Sequence, residues 1–387
     1  MLYEQIYFRI FGKEISNTIN NITEKVNNSF IAESKSHYEN KKDILLQNNN
    51  SSKLFNFFNL EFPINDINFY KTKYDLPNEN MNNPSYNIYK KGINNSLYIS
   101  KSTFKNNTVF IKKEFLTELL IGLKADENIN LPNYSNNIFK IQDIKNINEK
   151  HRAVVVEWLS YVNHHFSLSN ETLFLCVNIM DRYISKKIIS LDIYQLVGIS
   201  SYLIASKYED MEAPSIDDLI YISKNIYSHT DIVSMEKEIL TTLNFEIFSV
   251  SPYQFFSYFY IISEINKKQL FHLGHLILEI CLLNIEIMSC SQSLLAIGAF
   301  LIAKKCLEIK GGINSIKFFY NYNEEEIKEI QKKIVLFLSQ VVYTDKKNLI
   351  MEKFERNKYM SVSYIFKHNN NCRIRCDVIC KENINNN

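Results

Sequence analysis

LVGISSYLIASK occupies residues 196–207, and LLAIGAFLIAKK occupies residues 294–305. The two segments align without a gap, 98 positions apart. Both carry small residues in the middle, Gly198, Ser200 and Ser201 in one and Ala296, Gly298 and Ala299 in the other. Neither alternates with a period of two, so each reads as a helix packed closely by its neighbours. A 98-residue spacing is too long for a solenoid unit and fits a duplicated domain.

On either side of these segments the pattern is helical almost without break, from about 147 to 357. In the first repeat the expected helices are 148–165, 170–186, 192–208, 216–224 and 230–243. In the second they are 252–262, 267–284, 292–309, 314–320 and 324–342, with a further one at 346–357. Ser169 is placed as an N-cap, Ser215 with Asp218 as a capping box, and Thr230 as the cap of DIVSMEKEILTTL. Ser251-Pro252 reads as a cap followed by proline at the first helical position. Three glutamates after Asn323 suit the positive end of a helix starting there.

The chain has 387 residues, 46% of them apolar, enough for two or three domains and a large core. A net charge of +2 without any basic run argues against a nucleic-acid surface. Seven cysteines, several in apolar stretches, suit a reduced compartment better than a disulfide framework. The longest apolar run, Leu294 to Ala303, is about half of what a bilayer span needs. A soluble protein of nucleus or cytoplasm, with no membrane partner, is the expectation. Residues 1–135, rich in Asn and holding four of the six prolines, read as a partly disordered extension, and 364–387 as a polar tail.

Four charged residues sit inside apolar helical words: Arg152 in HRAVVVEWL, Asp181 in VNIMDRYIS, Lys207 in LIASKYED and Glu236 in SMEKEIL. A buried charge is costly unless a partner satisfies it, so these groups pair internally or face another protein. In order and spacing these words resemble the cyclin box of mitotic A- and B-type cyclins. That pattern runs M-R-A-I-L-x-D-W-L, D-R-F-L, A-S-K-Y-E-E, M-E-x-x-I-L-x-x-L-x-F. The resemblance is close over about 95 residues and looser to about Ser363. It implies an all-α fold of two tandem five-helix cyclin domains, here 136–248 and 249–363. It also implies a non-catalytic role as activating subunit of a cyclin-dependent Ser/Thr kinase in the cell cycle, needing no cofactor.

By the same resemblance, Lys207 and Glu236 contact the kinase beside its αC helix, with Tyr208, Ile204 and Phe245 as apolar neighbours. Read from the residues alone, Lys207 equally satisfies a helix C-terminus and Glu236 a solvated face. Arg152 and Asp181 are implied to be a structural pair joining the first two helices. His151, Val154, Val155 and Trp158 form one helical stripe. In the family that stripe, completed by a glutamine matching Gln195, docks Arg-x-Leu motifs of substrates or inhibitors. Val156, Leu159 and Val162 make the opposite side apolar too, so full burial of this helix stays open. Two residues depart from the pattern, His151 for methionine and Tyr161 for an acidic residue.

Enzyme motifs are absent from the sequence: no G-x-G, no H-E-x-x-H and no G-x-S-x-G. His272-x-x-His275 lies in an apolar helix and reads as packing. His368, Cys372, Cys376 and Cys380 would form a helical stripe about 18 Å long, too extended for one tetrahedral zinc. Lys381-Glu382-Asn383 spells a KEN-type degradation signal. A transcription-type cyclin and a cyclin-fold transcription adaptor are the alternatives; the latter calls for an N-terminal zinc ribbon, and the extension has no cysteine.

Overall fold

A computed structural model of the chain describes residues 113–132, 134, 147–310, 322–342 and 348–368. The chain divides into two units, Met1–Ser102 and Thr103–Asn387, and every described residue lies in the second. The described residues are all-α, with no strand among them. Helix α1 is Lys113–Asp126. The first repeat is α2 (Glu149–Phe166), α3 (Asn170–Ile184), α4 (Tyr194–Glu209), α5 (Ile216–Ile222) and α6 (His229–Thr242). The second holds α7 (Pro252–Ile262), α8 (Lys268–Cys281), a short α9 (Ile285–Met288), α10 (Gln292–Cys306) and α11 (Glu324–Val342). Short α12 (Leu349–Lys353) and α13 (Ser363–His368) follow. The helix expected at 314–320, the tail cysteines and Lys381-Glu382-Asn383 lie outside the described residues.

The two aligned segments become the central helices, α4 and α10, and their small residues explain how. A Cβ on Gly198 would lie 2.9 Å from Cγ1 of Val155 on α2. A Cβ on Gly298 would lie 3.0 Å from Cδ1 of Ile334 on α11. Each glycine thus removes the one atom that would hold a neighbouring helix away. Around them, α3 and α6 pack on α4, while α7, α8 and α11 pack on α10.

Local capping chemistry sets where the helices begin. The hydroxyls of Ser169, Ser215 and Ser251 accept from the backbone N–H groups of Thr172, Asp218 and Gln254. Asn323 Oδ1 accepts from Glu326 N at 2.7 Å. One expected cap is displaced: α6 starts at His229, and Ser228 caps it instead of Thr230. Ser228 has Asp231 three residues on, and that carboxylate returns to the Ser228 N–H at 2.8 Å. Thr230 lacks such a partner and sits inside the first turn.

Helix α1 falls within the span read as an extension. Leu116 and Leu120, four residues apart, are buried on one face, and α1 packs on α7. Just beyond it, Glu127 accepts from the N–H and hydroxyl of Ser293 at 2.5 and 2.7 Å, capping the start of α10.

Candidate functional site

Helix α4 is buried on all sides from Tyr194 to Ser206 and then emerges. Lys207 and Tyr208 occupy its exposed last turn. Lys207 Nζ donates to Glu236 Oε1 of the adjacent α6 at 2.6 Å. The lysine side chain is 50% exposed and the glutamate 15%. The two expected groups are therefore side by side, and each is the other's partner.

Tyr208 is 51% exposed and Phe245 67%, whereas Ile204 is buried within the helix packing. Phe245 is held out by the end of α6. Asn244 and Phe245 both adopt left-handed backbone, with φ of 53° and 60°. Asn244 N–H bonds Thr241 O at 3.2 Å, and Phe245 N–H bonds Leu240 O at 2.9 Å, the pairing of a Schellman turn. A left-handed aromatic is strained, and its exposure leaves no packing gain to offset the strain. Met211, just past α4, is also exposed. It escaped the sequence reading because no periodicity extends beyond Asp210.

On the second surface, His151, Val155, Trp158 and Gln195 are buried, Trp158 and Gln195 to 2% exposure, while Val154 is half-buried. Helix α12 packs across α2, with Leu349 N–H bonding Glu157 Oε1 at 2.6 Å. His151 Nδ1 accepts from the Asn148 N–H at 3.2 Å, closing a capping box at the start of α2. Neither the amide nitrogen nor the oxygen of Gln195 has a hydrogen-bond partner.

Arg152 and Asp181 lie at the junction of the repeats, both without exposed side-chain surface. Nε and Nη2 of Arg152 donate to the two carboxylate oxygens at 2.8 and 2.7 Å. Nη1 donates to the Leu282 carbonyl in the second repeat at 2.6 Å, and Tyr134 Oη donates to Asp181 Oδ2 at 2.8 Å. Burial alone would weaken the arginine's hold on its proton; the Asp181 charge reverses that and raises its pKa further.

A buried polar cluster that no local pattern announces joins α2, α8 and α12. Lys353 Nζ donates to Glu279 Oε1 at 2.5 Å, Ser160 Oγ donates to Glu279 Oε2 at 2.8 Å, and His275 Nε2 lies 2.8 Å from Oε1. Burial pushes the Glu279 carboxyl up, but Lys353 and His275 outweigh it and hold it at about 2. The His275 ring also meets Tyr253 at a tilt and Phe354 edge-on, at 4.9 and 5.2 Å between ring centres. Among the described residues no group of three or more His, Cys, Asp or Glu could hold a metal ion, and no helix is long and apolar enough to cross a membrane.

Two family models match the chain: "Cyclin, N-terminal domain" over residues 122–248 and "Cyclin, C-terminal domain" over 250–367. Cyclin-B2-2 of Arabidopsis thaliana is 35% identical over 225 residues, covering 57% of this chain and 52% of that protein. G2/mitotic-specific cyclin-B of Patella vulgata is 31% identical over 216 residues, covering 56% of this chain and 52% of that one. The chain spans about half the length of these curated relatives. The X-ray structure of a viral cyclin from herpesvirus saimiri matches with a TM-score of 0.50 at 20% identity, over 58% of this chain and 99% of that one. At that identity the structural match speaks for the fold alone.

Proposed function

Because this chain belongs to the cyclin family, we propose that it is the regulatory, activating subunit of a cyclin-dependent Ser/Thr protein kinase. The relatives' names, B-type and G2/mitotic-specific, favour control of cell-cycle progression in mitosis over a transcriptional role. The chain itself supplies no catalytic group, and it works in the nucleus, the cytoplasm or both.

The observation that carries this reading is the Lys207–Glu236 pair on two packed helices, with Tyr208 and Phe245 exposed nearby in sequence. Charges of both signs fix register on a partner, while exposed aromatics supply contact area. Docked there, the kinase αC helix would keep its glutamate on the lysine that orients ATP, and the activation loop would be ordered. Activation requires that this surface bind the active kinase better than the inactive one. An exposed pair already at 2.6 Å contributes little by itself, so exchanging partners at an interface costs little.

Substrate or inhibitor docking through the Trp158 stripe is the finer part of the proposal. It is supported by Gln195, whose amide has its donors and acceptor open and could meet the backbone of an extended peptide. Because Trp158 and Gln195 are buried, docking requires the surface over them to open. Affinity capture of the tagged chain from its own cells, with identification of bound kinases and assay of their activity, tests the main reading. Recovery of an activated cyclin-dependent kinase is expected; capture of no kinase would overturn it.

A further inference from the structure

The start of α7 meets α3 and the end of α4 around a small cleft. Tyr134, Glu171, Asn178, Glu209, Ser251 and Gln254 contribute to its lining. Its volume of about 20 Å3 is room for one water-sized group. Tyr134, Glu209 and Gln254 are half-buried.

Glu171 is 97% buried by its 3% exposure, and neither carboxylate oxygen has a hydrogen-bond partner on another residue. Two neighbouring donors are spent elsewhere: the Ser169 N–H and the Thr172 hydroxyl both bond Asp210. A glutamate in the first turn of α3 gains from the helix dipole, but that gain is available to an exposed side chain and does not account for burial without a partner. Asn178 adds a third open acceptor. Its amide donates to Asn130 O at 3.0 Å and Ser249 Oγ at 2.9 Å, which fixes its orientation and leaves Oδ1 buried and unbonded. The charges acting on Glu171 are themselves negative, Glu209 and Asp210.

From this geometry we infer that the cleft takes the ε-ammonium of a lysine presented by a partner protein. An ammonium is water-sized, and its three donors are more than enough for the two open oxygens of Glu171. A guanidinium is larger and planar, and its five donors exceed what the cleft can accept. Calcium or magnesium would want six or more oxygens. The half-buried Leu131 and Tyr134 at the cleft suit the methylene stem behind the charged head. Neither Lys207 nor Glu236 lines the cleft, and the inference does not depend on the identity of any kinase.

Proton linkage gives the site a second signature. Burial raises the Glu171 carboxyl to about 8; Glu209 and Asp210 add to the rise, and its own backbone amide opposes it. Tyr253 and Tyr258 of α7 also face it and stay neutral over this range, since burial raises both. A proton therefore occupies the carboxyl that a cation would claim, and lysine binding should strengthen as pH rises from about 6 to 8.

The test uses the full chain and N-acetyl-lysine methylamide as probe, with its ε-acetylated analogue and potassium chloride at equal ionic strength as controls. Melting temperature and the 13C shift of the Glu171 carboxyl are followed across pH. The probe should stabilise the wild type and lower the Glu171 pKa by about one unit or more. Glu171→Gln, checked for native helicity, should lose the response, and Glu209→Gln should weaken it. An equal response to the acetylated analogue or to potassium, persistence in folded Glu171→Gln, or no response in the wild type overturns the inference. If Glu171→Gln does not fold, the wild-type carboxyl titration decides alone: a pKa unmoved by the probe refutes it.

Discussion

Arg152 and Asp181 meet through two parallel hydrogen bonds of 2.8 and 2.7 Å in a site closed to solvent. The third arginine bond, to the Leu282 carbonyl, makes the same guanidinium a tie between the two repeats. The pair is thus a structural joint, and the following expectations separate such joints from surfaces that meet a partner.

Arg152→Ala leaves a buried carboxylate facing Tyr134 and nothing cationic. The loss should be roughly 3–5 kcal/mol in urea unfolding, because an uncompensated buried charge remains. Adding Asp181→Ala should recover part of that loss. A double variant as unstable as the sum of the singles would show that the two residues act independently.

Gly274 and Gly122 are both helical glycines with opposite surroundings. A Cβ on Gly274 would fall 2.1 Å from Cζ of Phe256, whereas nothing lies within 4 Å of one on Gly122. Gly274→Ala should therefore destabilise by about 1–3 kcal/mol through overpacking. Gly122→Ala should stabilise by up to about 1 kcal/mol through helix propensity. Thermal melts of the two variants check this, and effects of the same sign would contradict it.

The Glu171 carboxyl, held near 8 against an ordinary 4.5, keeps a proton in the folded state that the unfolded chain gives up. Its contribution to stability is complete below pH 4.5 and disappears as pH climbs through 8. Glu209, raised to about 7 by burial and then by Asp210, acts with the same sign. Glu279, held near 2, titrates far below this window. The melting temperature of the wild type should fall more steeply between about pH 5 and 8.5 than that of Glu171→Gln; parallel curves would argue against a buried proton.

Gln195 is buried with its amide unsatisfied, which costs about 1–3 kcal/mol where no water intervenes. Gln195→Leu should be neutral or stabilising in the free protein. The same variant should weaken an Arg-x-Leu docking peptide about tenfold or more in calorimetry. Unchanged peptide affinity would remove the Trp158 stripe from the docking proposal.

The sequence carried the fold because its signals are local. Ser169, Ser215 with Asp218, and Ser251-Pro252 sit where short-range capping chemistry puts them. Ser228 was equally legible as S-x-x-D, but Thr230, closer to the apolar run, masked it. Helix α1 was readable from Leu116 and Leu120, yet its Asn- and Pro-rich surroundings drew it into the extension. Ile204 and Tyr208 share a helix face, and only the point where α4 leaves the core sends one inward and the other out. The Lys353–Glu279 bond and the lone Glu171 depend on chain segments far apart, so no spacing rule could reveal them.

The most direct test is the dissociation constant between the full chain and its captured kinase, for wild type and for Lys207→Ala combined with Glu236→Ala. Because the pair is exposed and mutual, removing both residues should leave helicity and melting temperature unchanged. The dissociation constant should rise at least tenfold, about 1.4 kcal/mol, with kinase activation falling in step. Wild-type affinity in the double variant would contradict it.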